Sequence, residues 1–430
     1  MPLAPYESVF LKNGQVFIEG RPSVNTFFAE NLQISEILLI FAAESINNWL
    51  MTTNIILKKW VLSILMFIPL SANAEEIGGI RYYLDSRDHH AEVLAKYLSD
   101  PNPYTGDIVI PNTISHKDKS YEVTAINSGA FRNCTGLRSV SLPGSIETIE
   151  NGAFWGCTGL TTVSLAHGLI TIESHAFFGC SSLQNISLPS SVKTIGKYAF
   201  SGCTSLTSCS LDCNIKLGTG VFSDCTGLTS IQLSGGKTIK DYLFCGCTSL
   251  TSVIIPEGIR KIESYAFSGC SNLKRIVLPN SLDSICDRTF NRTAIEYLKI
   301  PHRVKFIGDY AFYKCENLKE IDAYPSTPPD LRSASFSDYD NISLYVPESY
   351  IEKYKNAPLW KLFFNVSAKS PGTGDTNGDG SVNQTDLEEV IKIIIGDASG
   401  DYNTEAADLN GDGVINVIDI VLMLNIINQK

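Results

Sequence analysis

IGKYAFSGCTSL, residues 195–206, is the stretch that decides the fold, because its phenylalanine returns in the same phase through the middle of the chain. A fixed period of this length predicts a solenoid, in which each repeat forms one coil that buries its apolar face against its neighbours. The steps between the rings are 22 or 23 residues, and the rings are Phe131, Phe154, Phe177, Phe200, Phe222, Phe244, Phe267, Phe290 and Phe312.

Three further positions share the phase of the phenylalanines. An aliphatic residue lies five positions before each ring, cysteine lies three positions after eight of the nine, and Leu or Ile follows at about six. A strand is predicted by alternation, as in residues 183–188, which Pro189 ends. Residues 198–203 predict a short helical turn. Stacked coils therefore predict parallel strands around a core of Leu, Ile, Phe and Cys.

The cysteines fit a packing role better than a disulfide framework. Eight of the twelve share one core phase, where small, slightly polar side chains fill space beside the phenylalanines. The other four are Cys209, Cys213, Cys245 and Cys286, and disulfides among them are open because spacing does not define a pairing. Residues 245–247 give only a weak zinc signal, since no second ligand pair lies nearby.

A processing signal precedes the repeats. Lys58 and Lys59 are followed by an apolar run at residues 60–70 and by small residues up to Ala74. This pattern predicts a secretory signal peptide at residues 51–74, cleaved after Ala74, with Met51 as the start of translation. Residues 1–50 are interpreted as an upstream mis-start without an assigned fold, and the alternative is a genuine extension. No second long apolar run predicts a membrane span in the mature chain.

Charge is concentrated in the tail. The net charge is −11, and residues 371–430 hold eleven acidic residues against Lys392 and Lys430. A near-neutral remainder without a basic stripe excludes the usual electrostatics of nucleic-acid binding. The acidic tail instead indicates a bound cation.

Two loops in the tail have the spacing of calcium ligands. Oxygen-bearing residues alternate around a glycine at position 6, and a backbone carbonyl is available at position 7. The loops predict two Ca²⁺ ions, each followed by a helix, and the residues at position 8, Val382 and Ile415, are expected to pair. Position 12 is Asp rather than Glu. The predicted ligands are Asp375, Asn377, Asp379, Ser381, Asn383 and Asp386, then Asp408, Asn410, Asp412, Val414, Asn416 and Asp419.

The repeat resembles a known family. IGKYAFSGCTSLTS and IESYAFSGCSNLKRIVLP are similar to BspA-type leucine-rich repeats of secreted and surface bacterial proteins, over residues 107–347. We expect an N-terminal cap at 75–106, a closing strand at 344–347, a C-terminal cap helix within 348–366 and a linker at 367–374. The resemblance implies adhesion or protein binding.

The tail, residues 375–430, resembles a dockerin, a small all-α, EF-hand-like domain. The resemblance implies folding on calcium and binding to a cohesin-like module through loop positions 10 and 11. Those positions are Gln384 and Thr385 in the first loop, and Val417 and Ile418 in the second. The two pairs differ in chemistry, which argues against a symmetric, two-way binding mode.

The sequence therefore predicts a leucine-rich-repeat solenoid with a dockerin, acting as a non-catalytic secreted binding or assembly protein. Its outward strand positions carry hydroxyl and amide groups, and their protein or glycan ligand is not defined by sequence. Two alternatives are a free-standing cell-surface adhesin with a calcium-stiffened cap and an accessory enzyme of a polysaccharide-degrading complex. No metalloprotease, nucleophile-elbow or phosphate-loop motif is present.

Overall fold

The structure, a computed structural model, describes residues 9–12, 15–18, 73–96, 103–368, 374–377, 382–396 and 404–428. The chain divides into two units, Met1–Ala74 and Glu75–Lys430. In the first unit, strands β1 (Val9–Lys12) and β2 (Gln15–Ile18) pair antiparallel. The predicted signal peptide lies almost wholly outside the described residues, so it stays a prediction.

The N-terminal end of the solenoid is closed by hairpins. Strands β3 (Ala74–Ile77), β4 (Ile80–Asp85) and β5 (His90–Val93) precede the first coil, and β4 and β5 pair antiparallel. Strand β6 (Gly106–Val109) begins the column of longer strands. Strand β7 (Thr113–His116) pairs antiparallel with β8 (Lys119–Ile126), which itself pairs parallel with β5.

Each coil contributes a two-residue strand at its aliphatic position, and these strands stack in parallel. The stack is built in two parts, from β8 to β15 and from β17 to β25. Its members after β8 are β10 (Thr148–Ile149), β12 (Thr171–Ile172), β13 (Thr194–Ile195), β15 (Lys216–Leu217), β17 (Thr238–Ile239), β19 (Lys261–Ile262), β21 (Ser284–Ile285), β23 (Phe306–Ile307) and β25 (Asp330–Leu331).

Longer strands follow the leucine of each coil and also pair in parallel, which confirms the predicted fold class. They form four groups: β6–β9–β11, β14–β16, β18–β20 and β22–β24–β26–β27. The remaining strands are β9 (Leu137–Ser141), β11 (Thr162–Ser164), β14 (Ser208–Asp212), β16 (Ser230–Ser234), β18 (Ser252–Ile254), β20 (Arg275–Val277), β22 (Tyr297–Ile300), β24 (Glu320–Ala323), β26 (Ser343–Val346) and β27 (Asn365–Ala368).

One expected strand is not formed. Residues 184–188 alternate in burial as predicted, but they are not part of a strand. The N–H of Gln184 donates to Thr161 and its carbonyl accepts from Thr207, each at 3.3 Å, and no backbone–backbone bond is found at 185–188 in the described structure.

A ladder of phenylalanine rings fills the interior. The nine predicted rings are at most 1% exposed, and neighbours stack with centroids 4.9–5.9 Å apart. Phe336 extends the ladder as a tenth ring, 5.2 Å from Phe312. Sequence spacing missed it because its step is 24 residues and Tyr339 replaces the cysteine. Leu331 nevertheless holds the aliphatic position, five residues before the ring.

The turn around each phenylalanine requires two left-handed residues, at positions −2 and +2 relative to the ring. Glycine occupies some of these sites, but Tyr198, Tyr242, Tyr265 and Tyr310 adopt φ values of 54 to 60° at the −2 site. Side chains beyond glycine are strained in this region by about 1–2 kcal/mol. The repeat therefore places bulky tyrosines where backbone geometry favours glycine.

The cysteine column links neighbouring coils. The thiol of Cys157 donates to the carbonyl of Phe131 at 2.9 Å, and that of Cys203 to Phe177 at 3.4 Å, each in the preceding coil. In the exceptional coil, Thr293 donates instead to Phe290 of its own coil at 2.9 Å. All twelve cysteines, including the four outside the column, are free thiols. Burial raises the pKa of Cys209 to about 12, so the thiolate is disfavoured.

The C-terminal cap differs from the single helix expected at about 348–361. A 3₁₀ turn at Glu348–Tyr350 leads into helix α1 (Ile351–Asn356), and a second 3₁₀ turn covers Trp360–Leu362. Ala357 is extended (ψ 143°) because it precedes Pro358, which disfavours the helical conformation there. Strand β27 then pairs with β26, so the sheet continues beyond the closing strand expected at 344–347.

The tail has a small core of its own. Its helices are α2 (Gln384–Ile395), α3 (Thr404–Ala407) and α4 (Val417–Asn428). Leu387, Val390, Ala407, Leu409 and Met423 form the core, and Val382 and Ile415 pack against it. Among the described residues, no helix has both the length and the apolar character that crossing a bilayer requires.

Candidate metal centre and docking face

The first loop is organised around a buried carboxylate. Asp386, 0% exposed, lies in the first turn of α2. Its Oδ1 accepts from the N–H of Thr376 at 2.8 Å and of Asn377 at 3.3 Å, and its Oδ2 accepts from the N–H of Asn383 at 2.9 Å. Asn383 caps the helix by accepting from the N–H of Thr385 at 2.8 Å. These bonds fold the chain back over the start of α2.

The second loop repeats this arrangement. Asp419, also 0% exposed, accepts from the N–H of Asn410 at 3.4 Å and of Asn416 at 2.8 Å. Asn416 in turn accepts from the N–H of Ile418 at 2.8 Å. The residues at positions 3, 9, 11 and 12 therefore make equivalent hydrogen bonds in both loops.

The turn of the second loop gathers three more predicted ligands. Asp408, 5% exposed, accepts from the N–H of Asp412 at 3.1 Å and of Gly413 at 2.8 Å. The side-chain amide of Asn410 donates to Oδ2 of Asp412 at 2.9 Å. Gly413 has φ 83°, a conformation that favours glycine at this position. The loop thus brings the carboxylates of Asp408 and Asp412 to one short turn.

Three described carboxylates of these loops lie outside the ion pairs of the structure. Among the described residues, no ion pair within 4.0 Å involves Asp386, Asp408 or Asp419. Burial raises the pKa of Asp408. Burial also acts to raise the pKa of Asp386, but hydrogen bonds from Asn383, Asn377 and Thr376 outweigh it and leave that pKa lowered. Buried carboxylates lacking a cationic side chain are costly unless a bound cation neutralises them, so the donor set fits calcium.

Two of the predicted ligands, Asp379 and Ser381, lie outside the described residues. Asp375 is half-buried and Asn377 is exposed. The carbonyl of Val414, the predicted ligand at position 7, accepts from the side-chain amide of Asn416 at 3.0 Å.

One supporting residue was missed by sequence reasoning. Thr376 is 3% exposed, and its hydroxyl donates to Oδ1 of Asp386 at 3.2 Å. Ligand spacing gives no signal for it, because position 2 of the loop is not a ligand position. Its counterpart in the second loop is Leu409, which packs in the core instead.

The residues at loop positions 10 and 11 are exposed in both loops, but the surfaces around them differ. Val417 and Ile418 are 65% and 54% exposed, and Val421 and Leu424 continue the same side of α4 at 51% and 38%. On α2, three of the corresponding positions are the polar Gln384, Thr385 and Glu388, and the fourth is Ile391, which is 38% exposed. The apolar stripe therefore covers all four positions only on α4.

Aromatic side chains on the outside of the helical turns stack on one another. Tyr242 and Tyr265 stack with centroids 4.5 Å apart and planes 7° from parallel. Trp155 and Tyr198 each stack on His175, at 5.1 and 5.6 Å. These rings therefore contact their neighbours in adjacent coils.

A cleft of about 610 Å³ opens beside residues 184–188, where the expected strand is missing. Ser187, Ser210 and Asp212 are among its lining residues. The carboxylate of Asp212 accepts from the N–H and the side-chain amide of Asn214, each at 2.9 Å.

Comparison with known families agrees with this architecture. The family model described as the BspA type leucine rich repeat region matches residues 124–237 and 237–357 in six copies, more than half of the chain. The chain belongs to the BspA-type leucine-rich repeat family. The model of the dockerin type I domain matches residues 373–428. Leucine-rich repeats and dockerins are non-catalytic domain types that are typical of extracellular or cell-surface proteins, and dockerins generally bind calcium and cohesins.

Solved structures resemble the repeat array. A leucine-rich repeat protein from Bacteroides ovatus is 22% identical, with a TM-score of 0.53, over 68% of this chain and 90% of that one. A leucine rich cell surface protein from Faecalibacterium prausnitzii is 22% identical, with a TM-score of 0.45, over 69% and 95% of the two chains. The first likeness supports the fold alone. No curated protein is similar enough to count as a match.

Proposed function

We propose that this BspA-type protein is an exported assembly factor without catalytic activity, whose dockerin attaches it in a calcium-dependent manner to a cohesin-like module. The observation that carries the proposal is the pair of buried carboxylates, Asp386 and Asp419. They lie 33 residues apart and receive equivalent backbone hydrogen bonds in two loops. The solenoid then serves as the part that presents a recognition surface to a protein or glycan.

Two calcium ions are proposed, one for each loop. Bound calcium supplies the positive charge that offsets the buried carboxylates, and its oxygen ligands come from a single twelve-residue segment. The first ion would be held by Asp375, Asn377, Asp379, Ser381, Asn383 and Asp386, and the second by Asp408, Asn410, Asp412, Val414, Asn416 and Asp419.

The cohesin-like partner is proposed to bind the apolar stripe of α4. Exposed Val417, Ile418, Val421 and Leu424 offer a continuous apolar contact, whereas exposed apolar side chains on a helix otherwise lose the benefit of burial. Gln384 and Thr385 on α2 offer a polar surface that suits a different partner or solvent. This difference supports a single orientation of binding.

Export is proposed from the signal peptide at residues 51–74. Cleavage after Ala74 would release residues 75–430 as the mature protein. Secretion also fits the extracellular setting that is typical of both families.

Binding of residues 75–430 to purified cohesin modules, measured with calcium and with a chelator, tests the proposal. We expect capture only with calcium, and a loss of at least tenfold in affinity for Val417→Asp combined with Ile418→Asp. The matched control, Gln384→Asp combined with Thr385→Asp, adds the same charges to α2 and should retain binding.

Two outcomes would count against the proposal. Capture that is unchanged by chelator would contradict a role for calcium in binding. Equal losses of affinity in the two double variants would contradict the assignment of the binding face to α4.

A further inference from the structure

The outer face of the last coils has a different chemistry from that of the middle coils. In β14 and β16, outward positions carry Ser208, Ser210 and Ser230. In the last coils, the corresponding surface carries Tyr297 and Lys299 on β22 and Asp322 on β24, followed by Tyr324. Tyr324 belongs to the 24-residue step between Phe312 and Phe336.

Tyr324 is buried although it lies outside the solenoid core. It is 6% exposed, and it is not a member of the hydrophobic cluster that fills the coils. The second calcium loop contacts it, because a Cβ added at Gly413 would overlap Cδ1 and Cγ of the ring. The ring of Tyr324 therefore packs directly on the backbone of the dockerin.

Charges complement each other at this contact. The ammonium of Lys299 lies 4.9 Å from the centroid of the Tyr324 ring, and its charge acts to lower the pKa of Asp408 in the second loop. Burial is the largest cause of the raised pKa of Tyr324. The solenoid's own Asp322, which accepts from the hydroxyl of Tyr297 at 2.7 Å, adds to it, as do Asp408, Glu405 and Asp412 of the dockerin. Lys299 is thus a cation of the solenoid that faces an acidic loop.

A short tether keeps the two parts close. Strand β27 ends at Ala368, and Gly374 already donates its N–H to the carbonyl of Ala406 in α3 at 2.9 Å. Six residues of extended chain span at most about 21 Å. Because β27 lies beside β26, and β26 beside β24, the dockerin starts near the strand that leads to Tyr324.

We propose that Tyr324 and Lys299 form a receptor surface for the second calcium loop, which joins dockerin and solenoid into one cooperative unit. Calcium that binds the second loop then stabilises the last coils as well as the tail, because a ligand stabilises every element that unfolds together with its site. This coupling is independent of any cohesin.

Trp360 provides a probe in the C-terminal cap. It is fully buried, and in residues 75–430 the only other tryptophan is Trp155, which Trp155→Phe removes. In this background, thermal unfolding followed by Trp360 fluorescence is compared in millimolar calcium and in chelator. We expect calcium to raise the midpoint by at least about 3 °C.

Variants at Tyr324 test whether its contact with the second loop causes the calcium-induced rise in the unfolding midpoint. Tyr324→Ala should lose most of the shift, while calorimetric titration still counts the same number of calcium ions. Tyr324→Phe retains the ring and should retain the shift. Val277→Ala, at the strand position equivalent to Lys299 one coil earlier, is the control and should also retain it.

The proposal is overturned if calcium binds without moving the Trp360 midpoint, or if Tyr324→Ala keeps the full shift. Should Tyr324→Ala fail to fold, Lys299→Glu provides the same comparison, because it places a negative charge opposite Asp408 without removing the ring. The inference rests on the proposed binding of calcium to the second loop, which calorimetric titration tests directly, whereas failure of cohesin binding leaves these results unchanged.

Discussion

Tyr242 allows the strain in the repeat to be measured. Its φ of 57° costs about 1–2 kcal/mol for a residue with a Cβ, whereas stacking on Tyr265 at 4.5 Å returns about 0.5–1.5 kcal/mol beyond burial. Tyr242→Ala keeps the strain and loses the stack, so its free energy of unfolding should fall by about 1 kcal/mol or more. Tyr242→Gly also removes the strain.

Glycine carries an offset of its own, because it gives the unfolded chain about 0.4–1 kcal/mol of additional conformational freedom. The Gly variant should therefore be more stable than the Ala variant by about 0.5–1 kcal/mol. Gly152→Ala is the reciprocal control. Gly152 occupies the same position in an earlier coil, with φ 59°, and a Cβ there would meet only ordinary contacts, 3.5 Å from Trp155.

The assay is urea unfolding of residues 75–430 followed by far-UV circular dichroism, with midpoints compared at equal slopes. If the Ala and Gly variants of Tyr242 unfold at the same midpoint, left-handed strain is not a feature of the repeat. A neutral Gly152→Ala would lead to the same conclusion.

Three further outcomes are expected. Phe200→Ala should lower the free energy of unfolding by about 3–5 kcal/mol, because the ring is fully buried between Phe177 and Phe222, and a loss below about 1 kcal/mol would contradict the ladder. Alkylation of the native protein at pH 8 should modify Cys245 on the order of 100-fold more slowly than a free cysteine, since burial raises its pKa to about 11; rapid labelling, read by mass spectrometry, would refute this. Asp386→Ala and Asp419→Ala should each remove one calcium ion in calorimetric titration, and two ions retained in either variant would disprove the ligand assignment.

Periodicity predicted the solenoid well because stacking imposes the same demand on every coil. The prediction from periodicity failed where a segment departs from the repeat in length or composition. Phe336 was missed since its coil has an added residue and no cysteine, although its ring occupies the same ladder. The predicted cap helix is too long, because the residue that precedes Pro358 is disfavoured in the helical region.

The two acidic loops, for which we propose calcium, are recognisable in the sequence for a similar reason and only in part. A cation requires oxygen ligands at fixed spacing, so residues such as Asp386 and Asp419 are visible in the sequence, and their hydrogen bonds are equivalent in the structure. The surroundings of the two loops are not equivalent. The second loop rests on Tyr324 and leads into the helix with the exposed apolar stripe, whereas the exposed positions that begin α2 are polar.

The two loops share their hydrogen bonds but differ in their surroundings, and this difference has a physical basis. Ligand geometry is set within a dozen residues and tolerates little variation, so duplication preserves it. A contact surface is set by whatever segment folds against it, and Tyr324 lies 89 residues before Gly413 in the chain. Spacing within a loop therefore reveals where charge must gather, while only the folded chain reveals which of two similar loops lies against the solenoid.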